Sequence, residues 1–234
     1  MEAYLPSDEE SRRDTDALSV LMTECMRKSG HTLPPPVDLP RLGPKTLTDW
    51  RYGIHDAALS ARRGYHPDAE EQAAYGAAME KAAVSGGSGE YTRAENECGI
   101  QSRQRLSGSD KPAGELARSL GNDAFLRAKR EPEVVAAFAA WSACMKEGGY
   151  SYREPFDAND DPRFGAQEVS RAEIDTAMAD LACRSRTSVA RIWFDAEARL
   201  QRTVFDQQAP ALKAEREEWD AALRKAAEVL GDAR

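Results

Sequence analysis

The chain has 234 residues, a formal net charge of -8, 41% apolar residues and 31% charged ones. Its length supports a substantial core as one large domain or two smaller ones. The acidic balance, with each short basic run offset by neighbouring acids, argues against a nucleic-acid partner, whose phosphates call for concentrated Lys and Arg.

The 39 alanines against 13 valines plus isoleucines point to an all-α protein. A first helix is expected over 8–29, with Leu18, Leu21, Met22, Cys25 and Met26 on one face at spacings of three and four. Gly30 ends it and Pro34, Pro35 and Pro36 forbid its continuation, so 31–45, with five prolines, reads as an extended surface connector. Helical patterns resume at 47–62 and 67–84. The run Ser85 to Gly89 breaks the chain as a flexible connector; it lacks the Lys-Ser or Lys-Thr of a phosphate loop.

Helices follow at 90–106, 113–129 and 131–147, the last carrying Val135, Phe138, Trp141, Cys144 and Met145 as a core stripe. Residues 148–167 form a second irregular segment. Ser170 is placed to cap the next helix, with Glu173 three residues on, and that helix runs past Cys183. From 188 to about 230 the pattern is helical throughout, as one long helix or a hairpin divided or kinked at Pro210. Its apolar positions do not hold strict heptads, which favours packing along its own body over a coiled coil. No apolar run reaches the ~18 residues that span a bilayer.

One pattern occurs twice: Cys-Met-basic-x-x-Gly-aromatic, at Cys25 to His31 and Cys144 to Tyr150. Each copy is followed later by one further cysteine, Cys98 or Cys183, and these are all the cysteines of the chain. The most economical pairing is Cys25 with Cys98 and Cys144 with Cys183, although four cysteines allow three connectivities. Disulfides persist in oxidising compartments, so the pairing implies an extracytoplasmic protein. The fold expected is a multi-helix body with internally repeated, disulfide-stapled helical units, residues 1–110 and 111–234, packed as one continuous body with a long C-terminal helix or hairpin.

Metal and cofactor chemistry find little footing. There is no zinc-ligand spacing and no Cys-x-x-Cys. Adjacent Cys and Met on a helix point about 100° apart, and Tyr150 replaces His31 in the second copy. The acidic run Asp157 to Asp161 lacks the glycine and the glutamate of a calcium loop. No metal, no cofactor and no catalytic residue is assigned. His55 beside Asp56, and His66 before Pro67, come with no nucleophile pattern, and Glu70, Glu71, Glu80 and Glu90 read as solvated helix surface.

The remaining signal is aromatic. Trp50, Tyr52, His55, Tyr65, Tyr150, Tyr152 and Phe156 lie in or near the irregular segments, where rings with polar tips can line a groove. They are the candidate ligand-binding residues.

Three stretches, Trp141 to Tyr150, Ala179 to Cys183, and Arg51 to Ala57 with Arg63 to Tyr65, resemble segments of exported, often lipid-anchored proteins of high-GC Gram-positive bacteria of the Streptomyces type. The likeness runs in order over nearly the whole chain. It implies an extracytoplasmic, secreted or surface-anchored location and no particular activity, the family being functionally uncharacterised. The chain has no lipobox cysteine and Met1 to Glu10 has no signal-peptide order; a leader or lipid anchor would belong to the full-length precursor. The expected function is a non-enzymatic accessory protein binding a protein or peptide. The alternatives are an envelope or small-molecule enzyme using His55 or His66 with nearby carboxylates, and a structural homodimer through the C-terminal helix.

Overall fold

The structure, a computed structural model, describes every residue of 1–234 except 36, 38, 41, 44–46, 84–88, 110, 167 and 233–234. Residues 85–88 of the connector expected from Ser85 to Gly89 therefore lie outside the described residues, as does part of the proline-rich segment, while Gly89 itself opens a helix. The fold is all-α. Among the described residues no helix is long and apolar enough to cross a membrane.

Two compact units are present, and their chain segments interleave. The first comprises Met1–Asp38, Glu80–Asn122 and Thr203–Arg234; the second comprises Leu39–Met79 and Asp123–Arg202. Residues 39–79, which chain order groups with the first Cys-Met copy, thus pack into the unit that holds the second.

In the first unit, α1 (Asp8–Lys28) opens with a capping box in which the Glu10 N–H donates to Ser7 Oγ at 3.2 Å and the Ser7 N–H to Glu10 Oε2 at 2.8 Å. Ala17, Leu21 and Met26 are its buried face, packed against α5 (Gly89–Ser107). The Cys25–Cys98 disulfide joins these two helices at a Cα separation of 5.6 Å. The Glu10 carboxylate also pairs with Arg216, which is the main reason its pKa falls to about 2.

The second unit contains α2 (Leu47–Tyr52), α3 (Ala57–Arg63), α7 (Pro132–Glu147), α8 (Pro155–Asn159) and α9 (Arg171–Thr187). It also takes part of α4 (Ala69–Ala83), the end of α6 (Glu115–Ala128) and the beginning of α10 (Val189–Asp232). Its core is built on Trp141 and Trp193, and Cys144–Cys183 ties α7 to α9 at a Cα separation of 5.7 Å. Helix α9 packs on α3, α7 and α8.

The repeated motif has a shared local form. After α1 the Gly30 N–H donates to Arg27 O at 3.2 Å and the His31 N–H to Met26 O at 2.9 Å. After α7 the Gly149 N–H donates to Lys146 O and the Tyr150 N–H to Met145 O, both at 3.0 Å. Both glycines are left-handed, with φ of 80° and 88°. This is the Schellman ending, in which glycine takes the left-handed position and the next N–H reaches back to the carbonyl five residues earlier. Each motif therefore places a cysteine on the last turn of a helix, a buried methionine beside it and a sharp stop immediately after.

One expectation changes. The helix expected over 47–62 is broken at residues 53–56, where the Asp56 side chain starts α3 afresh by accepting the Leu59 N–H at 2.9 Å. Of the two forms expected of the C-terminal run, the long helix is the one present, and it continues through Pro210.

Candidate binding site

In the second unit, α9 carries an unusual buried stripe: Glu173, Thr176, Asp180 and Arg184, spaced three and four apart, are all nearly inaccessible. Charged residues survive burial when paired and hydrogen-bonded, and here the partners come from the stripe itself, from α7, and from the chain running from α2 through the turn after α3. Asp180 accepts from Arg184 Nε at 2.7 Å, Trp141 Nε1 at 2.8 Å and the Tyr65 hydroxyl at 3.2 Å. Arg184 donates onward to the carbonyl of Tyr52. Burial pushes the Asp180 carboxyl above the usual range, against the pull of these donors. Burial, with the Asp180 charge, likewise raises the Tyr65 phenol.

A second pairing fixes α2. Arg51 Nη1 lies 3.1 Å from Glu197 of α10, the Tyr52 hydroxyl donates to the same carboxylate, and Gln201 Nε2 donates to it at 2.6 Å. The Arg51 guanidinium lies 4.9 Å from the centre of the Phe125 ring.

Glu173 holds the far end of α3. Its Oε1 accepts the Tyr65 N–H at 2.8 Å and meets His66 Nδ1 at 2.7 Å, while His66 Nε2 faces the Ala166 carbonyl at 2.8 Å. Gly64, at φ of +57°, leaves the room this needs: a Cβ there would stand 2.5 Å from Glu173 Oε1. Both His66 nitrogens face acceptors, an arrangement only imidazolium satisfies fully. Burial alone would lower the His66 pKa, and the Glu173 and Ala166 contacts outweigh it, leaving the value above its ordinary 6.5.

This stabilisation is whole below about pH 6.5, the unfolded pKa, and disappears as pH rises through the higher folded one. The urea midpoint of the second unit is expected to fall across that interval, and to do so much less in His66→Gln. Equal pH dependence in the two proteins would remove His66 as the cause.

Held this way, the turns around α3 together with α8 enclose a cavity of about 670 Å³, lined among others by Trp50, His55, Tyr65 and Phe156. Trp50 is 63% exposed and is the most exposed large apolar side chain among the described residues. Phe156 faces the cavity and also meets Trp193 edge-on at 5.8 Å, so the core backs the site.

Four of the seven aromatic and histidine candidates thus meet in one place. The other three do not. Tyr52 is buried in the core on Glu197. Tyr152 is buried, donating to Asp161 at 2.7 Å and accepting from Arg163 at 2.9 Å, and burial with the Asp161 contact pushes its phenol up to about 12. Tyr150 lines a separate recess of about 480 Å³ with Arg163 and Phe164.

Glu71, read from sequence as solvated surface, lines the cavity and accepts the Gly43 N–H at 3.3 Å. Glu173 caps nothing with its side chain; Ser170 does accept the Glu173 N–H at 3.1 Å, as expected, but the carboxylate turns inward to His66. The signal for its role was a set of charged residues sharing the helix face of Ala177. Among the described residues no cluster of three His, Cys, Asp or Glu is placed to hold a metal ion.

Fold and site together define an all-α, two-disulfide protein whose second unit carries an aromatic-lined cavity. Comparison with protein-family models, with curated proteins and with solved structures yields no match.

Proposed function

We propose that the chain is an extracytoplasmic accessory protein that binds a peptide segment of its partner in the cavity of the second unit. The observation that carries this reading is the cavity itself. Its volume of about 670 Å³ lies within the usual range for ligand pockets, and it exposes Trp50 beside Phe156 and Tyr65 over a rigid charged base. An exposed tryptophan at the rim of a pre-formed concavity supplies contact area at low conformational cost. Two disulfides support export, since such bonds persist outside the reducing cytosol. The resemblance of its segments to exported actinobacterial proteins points the same way.

The commitment of both His66 nitrogens to Glu173 and Ala166 supports a holding role for this residue over proton transfer. Panning a phage-displayed random peptide library on the full chain is expected to enrich a common motif, and Trp50→Ala is expected to weaken its binding about tenfold, the effect of losing one exposed aromatic anchor. No enrichment, or enrichment indifferent to Trp50→Ala, would overturn the proposal.

A further inference from the structure

Among the described residues the charges that line the cavity are one-sided: four acids, Asp56, Asp68, Glu71 and Asp160, against one arginine, Arg63. His66 adds no net charge of its own, because the buried Glu173 carboxylate faces it.

Three of the acids lack a cation. Asp56 accepts only the Leu59 N–H at 2.9 Å, Asp68 only the Glu70 N–H at 2.9 Å, and Asp160 only the Asn159 amide at 2.7 Å. Among the described residues none of the three forms an ion pair. By contrast, the four acids Glu197, Asp180, Glu154 and Asp161 elsewhere in the unit each have an Arg or Lys partner. Carboxylates gathered around an apolar concavity focus a negative potential into it. The exposed indole of Trp50 adds the negative face of its ring, which attracts cations more strongly than that of tyrosine or phenylalanine.

From this combination of cavity, indole and unpaired acids, we propose that the ligand of the cavity is cationic: a peptide segment presenting a lysine or arginine side chain flanked by apolar residues. The inference rests on the peptide-binding reading given above. In the complex, the aliphatic stem lies along Trp50 and Phe156 and the charged head meets Asp56 and Asp160. Such a head needs no displacement of an existing partner, because neither acid has a cation to give up. Arg63, which forms no ion pair among the described residues, disfavours a second cation at its own side of the cavity.

The test uses the full chain and three pools of acetylated, amidated hexapeptides, randomised except at one central position fixed as lysine, norleucine or glutamate. Tryptophan emission reports binding, since Trp141, Trp193 and Trp219 are buried and Trp50 is the solvent-facing one. The lysine pool is expected to bind about tenfold more tightly than the norleucine pool, the ratio that about 1.4 kcal/mol gives, and to weaken as salt is raised. The double variant Asp56→Asn, Asp160→Asn is expected to abolish that preference while leaving norleucine binding unchanged, asparagine remaining a competent cap for α3.

Equal binding of the lysine and norleucine pools, stronger binding of the glutamate pool, or a lysine preference that survives the double variant would each overturn the cationic ligand and leave peptide binding standing. Failure of all three pools would overturn both.

Discussion

Replacing Asp180 by alanine is expected to destabilise the second unit by about 3–5 kcal/mol, the scale for breaking a buried ion pair from one side. Asp180 is fully buried and receives three side chains, from Arg184, Trp141 and Tyr65. Its removal leaves Arg184, itself only 7% exposed, with two backbone carbonyls and no countercharge. It also strands the Trp141 indole N–H in the core, and an unmade buried hydrogen bond carries its own penalty.

Urea unfolding of Asp180→Ala followed by tryptophan emission measures the loss. The double variant Asp180→Leu, Arg184→Met should recover part of it, because removing both charges spares the uncompensated cation. A shift in Asp180→Ala below about 1 kcal/mol, the size of an ordinary single hydrogen bond, would show that the α9 stripe does not hold the unit together. Because the same stripe seats the chain on either side of α3, loss of Asp180 should also abolish binding at the cavity before unfolding is complete.

The second large effect belongs to the disulfides. Cys144 and Cys183 are separated by 39 residues, and Cys25 and Cys98 by 73. Closing loops of these lengths restricts the unfolded chain by about 4 kcal/mol each in the chain-entropy account. The variant Cys144→Ala, Cys183→Ala is expected to lose that amount in guanidinium unfolding, seen through Trp141 and Trp193, which lie in the core that this bridge fastens. Intact mass with and without reductant verifies the starting state: each bridge takes up two hydrogens. Four free thiols in protein prepared under oxidising conditions would exclude both bridges, and a loss below 1 kcal/mol would mean that the unfolded chain gains little from being cut free.

Much of the helical scaffold was legible in the sequence because its signals are local. The Ser170 cap, the apolar stripes of α1 and α7, and the glycines that close both Cys-Met helices act within a few residues of themselves. Chain order also marked the cysteine pairs. The grouping of segments was less accessible: nothing local to 39–79 records that Tyr65 will meet Asp180, or Tyr52 will meet Glu197, more than a hundred residues away.

The site was half legible for the same reason. Of the rings picked out near the irregular segments, Trp50, His55, Tyr65 and Phe156 line one cavity. Tyr52 and Tyr152 instead lie buried and Tyr150 lines a different recess, because a ring beside a loop can turn inward as readily as outward and chain order does not say which hollow it will face. The break at residues 53–56 turns on single residues, Gly53 at φ of 76° and the Asp56 cap of α3, with the contact of Tyr52 with Glu197 fixing the end of α2.

The interleaving of the units bears on how such a protein can change over generations. The first unit is assembled from three stretches of chain and the second from two, with α10 contributing to each. Neither can be excised as one piece of gene, and a crossover near residue 110 between related sequences would join halves that each lack part of both cores. Variation in such a lineage should accumulate by substitution around the cavity rim, where no buried partner has to change in step.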